Sequence, residues 1–404
     1  MFQKSFQNHN GHFSNRRRFH HPGRNWRSNR GKQKKVIHES VYIKNGVNPI
    51  EAKSRVILHK FSDFAIDQRL KENILQKGFT TPTPIQDQAI MPILEGKDVI
   101  GIANTGTGKT AAFLIPLINK TLKNQSTNKT LIIAPTRELA EQIRSELIEL
   151  TRKLGIYSVL VIGGASINRQ IGELRRSHQF VIGTPGRLKD MFNRKVLNLS
   201  LFNNIVLDEV DRMFDMGFSR DIKLIISQLP KNRQSLFFSA TINSEVDQLI
   251  KAHSQNPIKI SVVRRETTGN VDQDIIKVTD TAKKIEVLHD LLIKEEFEKV
   301  LIFGRTKWGV NKLSIELQKR GFQADAIHGG KTQSQRQKAL YSFKEGRVSI
   351  LVATDVAARG LDIPNVTHVI NYEVPETYTD YIHRIGRAGR ANNTGKALTF
   401  VNRA

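Results

Sequence analysis

Cysteine is absent from all 404 residues, so the chain offers no disulfide, no thiolate metal site and no thiol nucleophile. A reducing, intracellular setting, the cytoplasm, is the natural expectation for such a composition. Long apolar runs are missing as well. None approaches the roughly 18 residues that a membrane-spanning helix requires, and no apolar leader with a basic flank opens the sequence. Acidic residues are few, 38 against 63 lysines and arginines, which leaves a formal net charge of +25. A balance this basic suits a polyanion, either nucleic acid or an acidic membrane surface, and charge alone does not separate the two. What remains is ordinary for a globular protein, with 39% hydrophobic and 25% charged residues. The length suits about two or three domains of roughly 150 residues each.

The shortage of acid is sharpest at the start, where the first acidic residue is Glu39. Ten positive charges precede it: Lys4, Arg16, Arg17, Arg18, Arg24, Arg27, Arg30, Lys32, Lys34 and Lys35. Asn, His, Gly and scattered aromatics (Phe2, Phe6, Phe13, Phe19, Trp26) fill the rest. Residues 1–38 therefore read as a disordered basic tail with little from which to build a core. Such a tail is either a solvated, solubilising arm or an RNA tether, with arginines on phosphates and aromatics stacked on bases. No apolar stripe accompanies the arginines, which disfavours a transit peptide.

From about residue 60 short apolar runs alternate with helical stretches. Val99–Ala103, Leu131–Ala134, Phe180–Gly183, Ile205–Leu207 and Leu236–Phe238 read as strands, with amphipathic segments such as Glu138–Leu150 between them. That alternation predicts βαβ units around a parallel sheet. The polar stretch Arg264–Gln273 reads as a linker, after which the rhythm restarts with Val300–Phe303, Ile350–Ala353 and Val369–Ile370. Two α/β domains joined near residue 268 are expected.

Ala103-Asn104-Thr105-Gly106-Thr107-Gly108-Lys109-Thr110 follows a strand and precedes an apolar helical stretch. Its glycines let backbone N–H groups wrap a phosphate, and the helix N-terminus adds a favourable dipole. Lys109 would reach the β- and γ-phosphates, and the Thr110 hydroxyl would face Mg²⁺. Ala103 stands where such loops usually carry their leading glycine, so the motif alone is also compatible with a plain Gly-Thr turn. A hundred residues on, Ile205-Val206-Leu207 runs into Asp208-Glu209-Val210-Asp211. Acids at the carboxyl end of a parallel strand lie where α/β sheets bind ligands. Asp208 is placed to hold Mg²⁺ through water and Glu209 to activate the attacking water. Three acids after a strand are often only helix-terminal charges, but following a phosphate loop they argue for an NTPase.

With these residues in order, residues 58–402 resemble the DEAD-box RNA helicase family, a branch of helicase superfamily 2, in its bacterial form. Gly78-Phe79-Thr80-Thr81-Pro82-Thr83-Pro84-Ile85-Gln86 is similar to the family's Q motif, with Phe61 as the isolated aromatic upstream. The resemblance implies that Phe61 stacks on adenine and Gln86 bonds its edge, which suits an amide that both donates and accepts. Pro135-Thr136-Arg137, Gly163-Gly164 and Thr184-Pro185-Gly186-Arg187 resemble the first-domain RNA contacts. Ser239-Ala240-Thr241 resembles the motif that couples hydrolysis to strand opening through Asp211. Gly304, Arg305, Gln333 and Arg336 match second-domain RNA contacts, while Thr354 would touch RNA phosphate and Asp355 the ATP ribose. In Tyr381–Arg390 the family places arginine fingers at Arg387 and Arg390, with His383 linked to the acidic box.

The implied fold is two RecA-like domains, each a mostly parallel sheet flanked by helices, behind the disordered basic tail. Expected boundaries are 59–87 for the Q-motif region, 88–263 for the ATP-binding domain, 264–273 for the linker and 274–404 for the second domain. The implied activity is an ATP- and Mg²⁺-dependent RNA helicase. Closure of the two domains would bend one RNA strand so that its partner in a short duplex cannot follow. The partners implied are single-stranded and short duplex RNA, read without regard to sequence, and ribosomal or RNA-decay complexes, with the chain acting as a monomer and no membrane involved. An ATP-gated RNA clamp without unwinding shares every motif, and a DNA translocase is disfavoured by the Q and Ser-Ala-Thr motifs. The acidic box carries Val210 where the family has alanine, for which some repacking and a shifted coupling to Ser239 and Thr241 are expected. No RNA-binding appendix is expected after the last strand-like run near Ala404.

Overall fold

The computed structural model describes residues 39–402 apart from 45–56, 105, 126–127, 263–270, 281–282, 359–362, 364 and 389–394. The basic tail, Thr105, most of the expected linker and Arg390 therefore lie outside the described residues.

Seven parallel strands build the first sheet. They are β1 (Val99–Ile102), β2 (Thr130–Ile133), β3 (Ser158–Val161), β4 (Phe180–Gly183), β5 (Asn204–Asp208), β6 (Gln234–Ser239) and β7 (Ile258–Ser261). Their spatial order is β3-β4-β2-β5-β6-β1-β7, a doubly wound arrangement with β1 inside the sheet. Helices α1 (Gln68–Gln76) and α2 (Pro84–Leu94) precede it. Between the strands run α3 (Lys109–Lys123), α4 (Arg137–Leu150), α5 (Ile167–Leu174) and α6 (Pro185–Asn193). The last crossovers are α7 (Val210–Asp215), α8 (Ser219–Ser227) and α9 (Ser244–His253).

The second sheet has six parallel strands in the order β10-β11-β9-β12-β13-β8. These are β8 (Val271–Val278), β9 (Val300–Gly304), β10 (Ala324–Ile327), β11 (Ile350–Thr354), β12 (His368–Asn371) and β13 (Gly395–Asn402). The helices around it are α10 (Lys284–Leu292), α11 (Lys307–Lys319), α12 (Gln333–Lys344), α13 (Asp355–Ala358) and α14 (Tyr378–Ile385).

Helices cover both faces of the first sheet, so its central strands read as unbroken apolar runs. Ile132 and Val206 pack into one core, while their neighbours Leu131, Ile133, Ile205 and Leu207 pack into the other. Those runs are the ones recognisable as strands in the sequence. β3, β7, β8 and β10 lie at sheet edges. There one face meets solvent and polar residues alternate in, as the half-buried pattern of β3, β7 and β8 shows, and the apolar-run signal fades. The expected linker is corrected accordingly, since Val271–Gln273 are the opening residues of β8 and not a connector.

Candidate active site

β1, β5 and β6 lie side by side and parallel, with Ile102 opposite Ser239 and Asp208 opposite Phe238. Their carboxyl ends release three loops at one rim, the position at which open α/β sheets bind ligands. Ala103 stays tied to that rim through its N–H, which donates to the Ser239 carbonyl at 3.0 Å. Inside the loop the Thr107 hydroxyl donates to the Asn104 carbonyl at 2.8 Å. Gly108 caps α3 with φ +91°, and a Cβ there would stand 2.5 Å from Gln86 Nε2 and 2.8 Å from Thr83 Oγ1. Glycine is thus required both by backbone angle and by space.

Lys109 opens α3 with its side chain buried, and its Nζ lies 3.9 Å from Asp208 Oδ1. Neither atom has a hydrogen-bond partner among the described residues. A buried ammonium and a buried carboxylate oxygen left unbonded in this way fit an anionic phosphate on the first and a cation on the second. Burial pushes the Asp208 carboxyl up, to about 6, against the pull of the Lys109 ammonium. A bound cation would restore the carboxylate. Among the described residues no three His, Cys, Asp or Glu side chains form a metal cage. Mg²⁺ suits that arrangement, because it binds through one or two carboxylates plus phosphate oxygens and water. Asp208 and the neighbouring Thr110 hydroxyl are the groups that would hold it.

Glu209 follows in the left-handed region at φ 55°, ψ 53°. For a residue with a Cβ this conformation costs on the order of 1–3 kcal/mol and persists only where the surroundings enforce it. Part of the enforcement is Arg212, whose Nη1 donates to Glu209 Oε2 at 2.6 Å with both side chains buried. Arg212 escaped the sequence reading, although a base three residues after an acid at a helix start is a visible signal. Asp211 Oδ2 accepts from the Thr241 backbone N–H at 2.9 Å and from its hydroxyl at 2.8 Å. Ser239 Oγ accepts from the Asp211 N–H at 3.3 Å and donates to the Thr241 carbonyl at 2.7 Å. The Val210 side chain is wholly buried in the core.

Gln86 and Phe61, expected at the adenine, are both held by first-domain neighbours. Gln86 sits in the first turn of α2, where its Oε1 accepts from the Thr83 N–H at 2.9 Å and its Nε2 donates to the Gly108 carbonyl at 3.1 Å. The amide therefore braces the phosphate loop from below. Phe61 is only 4% exposed, with its ring edge-on to Phe64 at 6.1 Å and nearly parallel to Phe79 at 6.4 Å. Phe61 thus belongs to the first domain's core beside Phe64 and Phe79.

On the first domain the expected RNA residues gather around one loop. Arg137, at the start of α4, lies over Gly163 and Gly164, where a Cβ would come within 3.1 Å and 2.1 Å of its guanidinium. Thr136 caps α4 and Thr184 precedes α6, whose first residues are Pro185 and Gly186. Arg187 Nη1 donates to the Ala165 carbonyl at 3.4 Å, next to the glycine pair. Two helix N-termini and two guanidinium groups in one place suit phosphate.

The second domain brings Asp355, His383, Arg384 and Arg387 to one small pocket beside Phe303. Arg384, which the sequence reading passed over, organises it. Its Nε and Nη2 donate to the two Asp355 carboxylate oxygens at 2.6 and 2.7 Å, and its Nη1 to Asn371 Oδ1 at 3.2 Å and the Glu373 carbonyl at 2.7 Å. This pairing holds Asp355, expected at the ATP ribose, in a fixed orientation and leaves each carboxylate oxygen a further lone pair. Thr354 is buried at the end of β11, Gly304 closes against Val310, and the Arg305 N–H donates to Glu373.

Gln333 and Arg336, expected on RNA, face the first domain. Gln333 Nε2 donates to Glu141 Oε1 at 3.1 Å, and Arg336 Nη2 lies 2.7 Å from Glu138 Oε1, both acids being on α4. An extended pairing of this kind answers to charge complementarity between the halves, which no local pattern encodes.

Residues 83–249 match the DEAD/DEAH box helicase family and residues 283–392 the helicase conserved C-terminal domain. The ATP-dependent RNA helicase CshA of Listeria monocytogenes is 46% identical over 343 residues, 85% of this chain and 66% of that protein. The DEAD-box ATP-dependent RNA helicase CshA of Bacillus subtilis is 44% identical over 342 residues, 84% of this chain and 69% of that protein. The chain thus spans about two thirds of the length of these relatives. Among solved structures, S. cerevisiae Dbp5 bound to RNA and ADP BeF3 superimposes with a TM-score of 0.75 at 30% identity, covering 85% of this chain and 90% of that one. Mss116p bound to ssRNA and AMP-PNP gives 0.75 at 31% identity, covering 84% and 73%.

Proposed function

The chain belongs to the DEAD-box family of ATP-dependent RNA helicases, and we propose that it holds ATP at the rim of its first sheet, grips RNA across its two domains, and pries short duplexes or RNA–protein complexes apart with each hydrolytic cycle. The observation that carries this reading is the rim itself. Lys109, Asp208 and the strained Glu209 lie buried together at the ends of β1 and β5, with two of their charged atoms left for a ligand to satisfy.

In this reading Lys109 and the loop amides of Gly106 and Gly108 hold the phosphates, and Gln86 sets the loop's height through its bond to Gly108. Mg²⁺, bound by Asp208 and Thr110, would neutralise charge on the transferring phosphoryl group. Glu209, fixed by Arg212, takes the proton from the attacking water. Arg387 and Arg390 act as arginine fingers from the second domain. The network of Asp211, Ser239 and Thr241 passes the state of the site to the RNA side. RNA is held by Arg137, Arg187 and the helix N-termini around Gly163 and Gly164, with Arg305 and Thr354 on the second domain, through phosphate and 2′-hydroxyl groups. Ribosomal or RNA-decay complexes in the cytoplasm are the setting we assign, with the chain acting as a monomer.

Steady-state ATP hydrolysis with and without single-stranded RNA, run beside release of a labelled short duplex, tests the assignment. RNA should stimulate turnover where DNA does not, and Lys109→Ala should abolish it. ATP-dependent RNA retention with no strand release at all would identify a clamp instead.

A further inference from the structure

The segment before the first domain is bound to the second. Glu39–Tyr42 forms a single 3-10 turn, and Lys44 then pairs antiparallel with Gln273 of β8. The Lys44 N–H donates to the Gln273 carbonyl at 2.9 Å, and the Gln273 N–H donates to the Lys44 carbonyl at 2.8 Å. β8 is an edge strand, and these two bonds cover part of its open ladder. Further along the chain, the Leu58 and His59 N–H groups bond to Asp87 of α2, in the first domain. Among the described residues, the chain therefore meets the second domain at Lys44 before it meets the first at Leu58.

One side chain dominates the attachment. Val41 and Ile43 are exposed, whereas Tyr42 is 1% exposed, with its ring edge-on to Tyr381 at 4.8 Å and 68°. The Tyr42 hydroxyl has no partner among the described residues, so the ring and not the polar group makes the contact. Tyr381 in turn donates its hydroxyl to Gln273 Oε1 at 2.9 Å, on the same residue that Lys44 pairs with. Tyr381 lies at the middle of α14, the helix that carries His383 and Arg384 and leads directly into Arg387. Its last turn is fixed by the four hydrogen bonds of Arg384. Its middle is fixed by burial of Tyr381, which Tyr42 completes. An eight-residue helix has little stability of its own and takes its orientation from such contacts.

We infer that Glu39–Lys44 is an intramolecular clip and that Tyr42 is a positioning residue for the arginine helix, holding α14 in the orientation that presents Arg387 to ATP. This rests on the arginine-finger reading above. Neither the Q motif nor any catalytic motif includes the segment, and its recognition element is an aromatic side chain entering the second domain from a stretch that precedes the first.

The test uses the full chain with Tyr42→Ala, Tyr42→Phe, Lys44→Pro and Arg387→Ala, reading RNA-stimulated ATPase parameters and backbone hydrogen exchange of residues 378–385. Tyr42→Ala should lower kcat about tenfold with KM for ATP within twofold, and raise α14 exchange about tenfold while exchange in α3 stays unchanged. Tyr42→Phe, which keeps the ring, should match the wild type in both. Lys44→Pro removes one of the two ladder bonds and should move both readouts in the same direction, and it serves should Tyr42→Ala not fold. A normal kcat in Tyr42→Ala, a fall in kcat without faster α14 exchange, or failure of Tyr42→Phe to restore both would overturn the clip. Arg387→Ala separates the two ideas: normal turnover there sinks the arginine-finger reading, whereas collapsed turnover with undisturbed α14 exchange leaves the clip to be judged on Tyr42 alone.

Discussion

Arg336 of the second domain meets Glu138 of the first at 2.7 Å, with side chains 9% and 2% exposed. The pair exists only while the two halves are docked, and beside it Gln333 reaches Glu141. Burial also pushes the Glu141 carboxyl up, eased by hydrogen bonds from Gln337 and Gln333. Breaking a buried pair by deleting one partner strands the other charge, at about 3–5 kcal/mol in folded cores. Here the chain can undock and rehydrate the orphan, so the loss should appear in domain closure and not in folding. Arg336→Ala and Glu138→Ala are each expected to reduce the closed fraction, read by fluorescence transfer between labels on the two domains with ATP analogue and RNA present. The double variant should close better than the sum of the single losses predicts, because no unpaired charge remains. Strict additivity would show that the two side chains do not interact in solution.

Glu209 depends on Arg212 for its geometry. Glu209→Gln should keep nucleotide binding and trap a closed RNA complex, since the amide fits the site but takes no proton. Arg212→Ala leaves the carboxylate in place but unrestrained in a strained backbone. Hydrolysis in a single turnover should fall about a hundredfold in that variant, a range typical of lost general-base geometry, with nucleotide affinity little altered. Wild-type hydrolysis by Glu209→Gln would remove it from the mechanism.

Gly108 and Gly164 offer opposite lesions of similar size. A Cβ at Gly108 would meet Gln86 Nε2 at 2.5 Å, and one at Gly164 would meet Arg137 Nη1 at 2.1 Å, both at positive φ. Gly108→Ala should weaken nucleotide binding at least tenfold while leaving RNA binding without nucleotide near normal. Gly164→Ala should do the reverse. Equilibrium titrations with a fluorescent nucleotide and a labelled RNA read both, and parallel losses in the two variants would mean that the phosphate loop and the glycine pair are not separate sites.

Much of this site was legible in the sequence because its chemistry is local. Lys109, Asp208 and Glu209 each follow a buried strand, and a run such as Ile205-Val206-Leu207 announces both the strand and the rim at its end. The coupling triad was legible only through resemblance, since Asp211 and Thr241 are thirty residues apart and meet because β5 and β6 are neighbours. The partners of Arg384 and Arg336 are hidden from the sequence for one reason. An arginine in a basic stretch looks like a phosphate contact, and only the fold shows that carboxylates already face it. Phe61 is legible through the resemblance as an isolated aromatic, but nothing in its surroundings marks Phe64 and Phe79 as its packing partners. Tyr42 gave no signal, since its partner Tyr381 lies in the other domain.

His368 on β12 makes the second domain sensitive to acid. Its ring stacks on Phe297 at 3.9 Å and 24°, its Nδ1 lies 3.0 Å from the Thr367 hydroxyl, and it is buried. Burial lowers its pKa to about 4, helped by the Lys396 ammonium and opposed by the Glu296 carboxylate, which bonds to that same lysine. The unfolded chain returns the ring to its ordinary value near 6.5. Between those two values the unfolded state binds the proton and the folded state does not, so stability must fall as pH falls through the window. Above about 6.5 the neutral ring contributes fully; below about 4 the contribution is gone. At about 1.36 kcal/mol per unit the whole effect is on the order of 3 kcal/mol. Thermal unfolding followed from pH 7.5 to 4 should show the midpoint of the second domain dropping over that interval. His368→Gln removes the titrating ring and should flatten that slope, even if its midpoint at neutral pH is lower. Equal slopes in the two proteins would place the acid sensitivity elsewhere.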